Sequence, residues 1–200
     1  FATCGALSAE YGPIQWVGLH RQHHKFSDKE LDPHNINRGF WWAHIGWMLY
    51  HVPGEKRVRR YTADLRKDPY YRWLDKYFLF LQIPLGIVLF VLGGWHWVLW
   101  GIPLRMVVVY HLTWCINSVV HTWGTQPFDS DDNSRNNRIM GWIAFGEGWH
   151  NNHHAYPTSA KHGLQGQFDL TWYIIVVLRT LRLATNVRVP KINNSNNEVL

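Results

Sequence analysis

The sequence predicts an all-α integral membrane protein: a helical hairpin, plus the end of an earlier span, joined to a cytoplasmic helical cap that holds a His-rich di-metal site. Three observations predict it. Two long apolar stretches follow each other across a short turn. The spacing H-x-x-H-H occurs twice, as "HRQHH" at 20–24 and "HNNHH" at 150–154. Lys and Arg avoid the turn between the apolar stretches and crowd the segments that carry the histidines.

Residues 1–17 read as the end of an earlier span, weakened in its last turns by Glu10, Gly12 and Pro13. The chain starts with Phe1, inside an apolar run without signal-peptide layout, and is expected to be an N-terminally truncated fragment of a single domain. Residues 77–94, "YFLFLQIPLGIVLFVLGG", carry no charge and as helix reach about 27 Å, enough for the hydrocarbon layer. After the turn "GGWHWVLWG", residues 102–123 form a second span, whose Arg105 lies near one end and can snorkel to the interface. Segments 20–76 and 124–192 form the cap. Within it, "LTWYIIVVLRTLRL" at 170–183 is too short to cross and suits an interfacial helix. The Asn-rich tail 193–200 is expected to be disordered.

Of the 20 Lys and Arg, twelve fall in 20–76, seven in 124–200 and none in the turn at 93–101, so the positive-inside rule puts both histidine clusters on the cytoplasmic side. A net charge of +6 with 13 tryptophans could point to nucleic acid, but no such motif is present and the aromatics sit in apolar runs, as in a membrane-interface belt. Cys4 and Cys115 share no disulfide or thiolate-metal spacing. A metal would therefore be held by imidazole.

With 13 histidines in 200 residues, two copies of H-x-x-H-H arise by chance on the order of once in a thousand chains. On a helix, positions i, i+3 and i+4 share a face, so His20, His23 and His24 present three imidazoles, and His150, His153 and His154 three more. Six exceed the needs of one zinc and fit two metals. Imidazole alone does not name the metal. "NSVVH" adds Asn117 and His121 at i and i+4 inside a span, where polar groups are costly and usually functional. For His121 beside two clusters, ligation outweighs a helix–helix hydrogen bond. For His111 the balance is reversed, and His51, His96 and His162 are expected at surfaces or interfaces.

"HRQHHKFSDKELDPHNINRGFWWAHIGWML", "NSVVHTWG" and "GEGWHNNHHAYP", in this order, resemble the membrane fatty-acid desaturases of the Δ9, stearoyl-desaturase-like type, from about Glu10 to Ala184. The resemblance implies four membrane helices under a cytoplasmic cap and two iron ions (Fe2+). It assigns His20, His150 and His153 to one iron with Asn117 acting through water, and His23, His24, His121 and His154 to the other. An earlier H-x-x-x-x-H box of that family does not occur before residue 20, so the fragment alone is expected to be inactive.

The implied activity is oxygen-dependent removal of two hydrogens near C9 of a saturated acyl chain to give a cis double bond. The rivals are a membrane di-iron hydroxylase and, from another class, a His-rich metal transporter or sensor. Acyl-CoA enzymes of this type show Arg-Asp immediately before the first histidine of the box; here Gly18 and Leu19 stand there, which favours an acyl-lipid substrate over acyl-CoA. The resemblance further implies a substrate tunnel lined by Trp16, Thr113 and Trp114. Asp32, His34 and Glu147 are candidates to orient the ligand imidazoles, Glu147 by its helical spacing to His150. No H-P-G-G haem motif is present, so electrons would come from ferredoxin or cytochrome b5, an acidic carrier being drawn to a basic face.

Overall fold

A computed structural model describes residues 1–50 and 55–190. His51 and the tail 193–200 lie outside them. Among the described residues the chain is helical without a strand: α1 (Ala2–Ala6), α2 (Pro13–Phe26), α3 (Trp47–Tyr50), α4 (Glu55–Tyr61), α5 (Pro69–Tyr77), α6 (Gln82–Leu99), α7 (Arg105–Ser118), α8 (Arg138–Ile143), α9 (His150–Ala155) and α10 (Leu170–Thr180). It divides into two compact units, residues 1–33 with 45–113 and residues 34–44 with 114–200.

In the first unit the stretch expected as one span, 1–17, is two helices. Ala9 and Tyr11 adopt positive φ between them (63° and 77°), and Pro13 starts α2 at its first turn, where a missing N–H is harmless. The cap of α2 comes from elsewhere in the chain: Asp75 Oδ1, on α5, accepts from the amides of Ile14 (2.9 Å) and Gln15 (3.0 Å). Gly12 has no side chain because a Cβ there would overlap the Asp75 backbone. Gly18 likewise lets α2 close on α4, where a Cβ would meet Val58 at 2.6 Å. Leu19, Val58 and Leu74 are buried here, each worth about 1.5–3 kcal/mol relative to exposure.

From Pro69 to His121 the chain is one helical run, the only one among the described residues long and apolar enough to cross a membrane. It turns back on itself at Gly93–Gly94, where Gly94 takes φ 65°. Gly101 then packs on Leu89, and Arg105 donates to Gln82 Oε1 at 3.0 Å. Where a nine-residue turn is expected, two glycines suffice, because glycine enters the left-handed region without steric cost. Helix resumes at Trp95, and Pro103 is absorbed in a wide π-helical turn, Trp100–Leu104. Arg105 also departs from expectation. Its guanidinium turns inward to Gln82 and to the Gly101 carbonyl (2.8 Å).

In the second unit, Val120, Met140 and Ala144 form a buried core against Cys115, Ile116 and Val119. Both cysteines are unbridged. The expected interfacial segment is α10, whose first turn is capped by Asp169 Oδ1 on the Trp172 amide (2.8 Å).

Asp75→Ala should lower the stability of the full-length protein by about 1–2 kcal/mol, the usual worth of a lost N-cap. Asp75→Asn should retain most of it. Thermal unfolding in detergent measures both.

Candidate metal centre

In the first unit, α2 carries His20, His23 and His24 on one face. The His20 and His24 Nε2 atoms lie 3.1 Å apart, and the Trp16 ring stacks on His20 at 5.0 Å between centroids. Beyond the helix, Asp28 takes φ 58° and turns the chain back, so that Asp32 Oδ2 accepts from His23 Nδ1 at 3.0 Å and from the Asp28 amide at 2.8 Å. An ionised carboxylate only accepts, so the proton of His23 sits on Nδ1 and its Nε2 is left as the donor atom. Gln22, 1% exposed, pins this return by donating to the Leu31 carbonyl.

In the second unit, His150, His153 and His154 ride on α9, a helix of six residues. Its two buried asparagines supply the rigidity that so short a helix lacks. Asn151 clamps the Phe128 backbone, accepting from its N–H (2.8 Å) and donating to its C=O (2.9 Å). Asn152 donates to the His162 carbonyl and to Gln167 Oε1, both at 2.8 Å, and accepts from Asn136. His121 arrives on the 3-10 turn Val119–His121 that ends α7. The ligand atoms of His121, His150 and His154 all lie within 4.8 Å of one another, and the Nε2 atoms of His121 and His150 are 3.1 Å apart.

Asp132, which the sequence did not single out, does for His154 what Asp32 does for His23: its Oδ2 accepts from His154 Nδ1 at 2.5 Å. Its other oxygen accepts from the Ser130 and Ser134 hydroxyls and the Ser134 amide. Burial alone would raise this carboxyl, but the His154 contact and the serine hydroxyls outweigh it and hold the group well below the ordinary carboxylate range.

Other expected residues are placed as follows. Glu147 is not on the helix of His150, because α9 begins only at 150 and Gly146 breaks the backbone at φ 116°. The i, i+3 rule therefore does not apply, and Glu147 Oε1 lies 3.6 Å from His162 Nδ1. The His162 ring is half-buried and lies tilted against His153 at 4.3 Å between centroids. His34 is buried, Asn117 half-buried on α7, and His96 and His111 exposed. Trp16 and Thr113 line a cavity of about 370 Å³ with Glu10, Tyr11 and Val109. Trp114 packs edge-on against His44, which bonds Ser118 Oγ at 2.9 Å.

Two nitrogens held at about 2.1 Å by one ion stand roughly 3.0–3.4 Å apart, so each 3.1 Å pair fits a shared transition metal. These closest pairs cross the expected partition between irons, which separates His20 from His24 and His121 from His150. With a carboxylate fixing one tautomer in each, either cluster offers imidazole donors of the kind that hold iron, zinc, copper or nickel.

A family model for fatty acid desaturases matches residues 1–173. The chain belongs to the fatty acid desaturase family. It is 51% identical over 187 residues to an sn-1 stearoyl-lipid 9-desaturase of Anabaena variabilis, covering 93% of this chain and 69% of that protein. It is 49% identical over 191 residues to an sn-1 stearoyl-lipid 9-desaturase of Synechocystis sp., covering 95% of this chain and 60% of that protein. An sn-2 palmitoyl-lipid 9-desaturase of Nostoc sp. matches at 49% over 191 residues, covering 93% and 67%. The chain thus spans 60–69% of the length of these relatives. The expectation of an acyl desaturase, an oxidoreductase of lipid metabolism, stands.

In the full-length protein, Asp32→Asn and Asp132→Asn should each weaken metal retention about 10–100-fold, the usual cost of losing an imidazole's orienting partner. Metal content after graded chelator challenge checks this. Because the Asp132 carboxyl is depressed in the folded state, its stabilising contribution is complete above the ordinary carboxylate range and is lost as pH falls from there through the depressed folded-state value. Acid unfolding of Asp132→Asn should lack that component.

Proposed function

We propose that the whole protein inserts a cis double bond near C9 of a saturated acyl chain carried on a membrane glycerolipid. Two hydrogens leave the chain and O2 is reduced to two waters, with two further electrons from an external carrier and two protons from water. The similarity at 49–51% identity to three lipid 9-desaturases, on a chain that presents two imidazole clusters, carries the reading.

The proposed ligands of two irons are His20, His23, His24, His121, His150, His153 and His154, with Asn117 through water. Bound iron supplies one-electron redox chemistry toward O2. Asp32 and Asp132 keep the Nδ1 protons of His23 and His154 in place, which assigns metal ligation to Nε2 of each ring. His34 and Glu147 are proposed in supporting roles, the latter through His162. The cavity beside Trp16 and Thr113 is proposed to receive the acyl chain. Its apolar walls, Ala2, Ala6, Val17 and Val109, exclude water from the chain.

Gly18 and Leu19 support a lipid-linked substrate in a second way. Both are packing positions against α4 and the core, so the Arg-Asp pair of the acyl-CoA type does not fit there. The two arms that meet at Gly93–Gly94 are proposed to cross the bilayer, with the histidines on the cytoplasmic side as the positive-inside rule requires. Ferredoxin or cytochrome b5 would dock there.

The complete gene, expressed in a host lacking monounsaturated lipids, should yield Δ9 olefins in glycerolipids, and His150→Ala should reduce them at least about 100-fold. Absence of any olefin under aerobic conditions rejects the assignment, and hydroxylated chains would assign a hydroxylase. Reduction of the full-length enzyme by ferredoxin should slow as ionic strength rises.

A further inference from the structure

The second unit leaves a run of large apolar side chains open on two adjoining helices. On α8, Ile139 is 72% exposed and Trp142 59%; Phe145 follows at 53%. On α10, Tyr173, Ile174 and Val177 are 50–57% exposed. The two helices form one surface. Phe145 C=O accepts from the Thr171 amide (3.1 Å) and hydroxyl (2.9 Å), and Trp142 stacks on Phe168 at 4.1 Å and 7°, with Tyr173 at its edge.

The exposure is not that of a helix without a partner. The opposite side of α8, Met140 and Ala144, is already buried with Val120, so the outward side is surplus to the core. Apolar patches of this extent with a charged rim mark an interface with protein or membrane. The rim is cationic: Arg138 opens α8, Arg179 closes α10 and Arg182 follows, all exposed. Neither helix contains an acidic residue. Asp169, beside them, is buried and taken by the amides of His162, Gly163 and Trp172.

We propose that this face of α8 and α10 seats in the headgroup–acyl boundary of an anionic lipid leaflet. Ile139, Ile174 and Val177 enter the acyl region, and Arg138, Arg179 and Arg182 meet lipid phosphates. The charge pattern selects this occupant over a second copy of the chain, which would bring the same arginines against themselves. Aromatic rings flanked by arginines are the composition that settles at such a boundary. The inference needs neither the metal nor the desaturase activity.

Its test is a single spin label at Ile139→Cys, Ile174→Cys or, as control, Asp129→Cys. The protein is full-length, cysteine-depleted, in nanodiscs of phosphatidylcholine with phosphatidylglycerol. Collisions with O2 should exceed those with a water-soluble nickel chelate at 139 and 174, and the order should reverse at 129. Nickel access at 139 and 174 equal to that at 129 would show an open aqueous surface, and exclusion of both reagents would show a protein partner; either overturns the proposal. Labels that sit equally deep in phosphatidylcholine alone would overturn its anionic part.

Discussion

The hydrogen bond from an imidazole Nδ1 to a buried carboxylate is the constraint on which the centre depends. Clustered imidazoles crowd and repel once protonated, and each ring has two nitrogens that could face the metal. Asp32 and Asp132 settle the choice of nitrogen at His23 and His154 by accepting at Nδ1. Their own burial is tolerable because neighbouring amides and hydroxyls are spent on them: the Asp28 amide on Asp32, Ser130 and Ser134 on Asp132.

That arrangement transfers the burden of rigidity to side chains that touch no metal. Gln22 holds the loop of Asp32, and Asn151 and Asn152 tie a six-residue helix to the backbone at Phe128 and His162 and to the Asn136 side chain. Asn in a helix interior ordinarily competes with the backbone and lowers helix propensity. Here the competition is the purpose, since α9 owes its position to those outward bonds more than to its own turns.

The same exchange of local preference for tertiary contact recurs in the first unit. Gly18 weakens α2 as a helix and Gly12 leaves its start without a side-chain cap, yet only they let α4 and α5 approach it. Asp75 then caps α2 from sixty residues away. The helix that carries three histidines is therefore anchored at its start by a remote carboxylate and along its side by α4.

The sequence by itself determined the helix faces of both histidine clusters, because i, i+3, i+4 spacing is local geometry, and the apolar stretches 77–94 and 102–123, because hydropathy is additive along a chain. It also determined the family, through motifs in order. Only the tertiary structure decided which carboxylates serve which imidazoles. Asp132 lies twenty-two residues before His154 in a loop without periodicity, and Glu147 fails its helical spacing because no helix joins it to His150. It likewise decided that Arg105 turns to Gln82 and that the reversal needs two glycines. Such pairings depend on chain reversals at single positive-φ residues, such as Asp28, Gly94 and Gly146. A one-residue turn redirects everything after it and leaves almost no compositional trace.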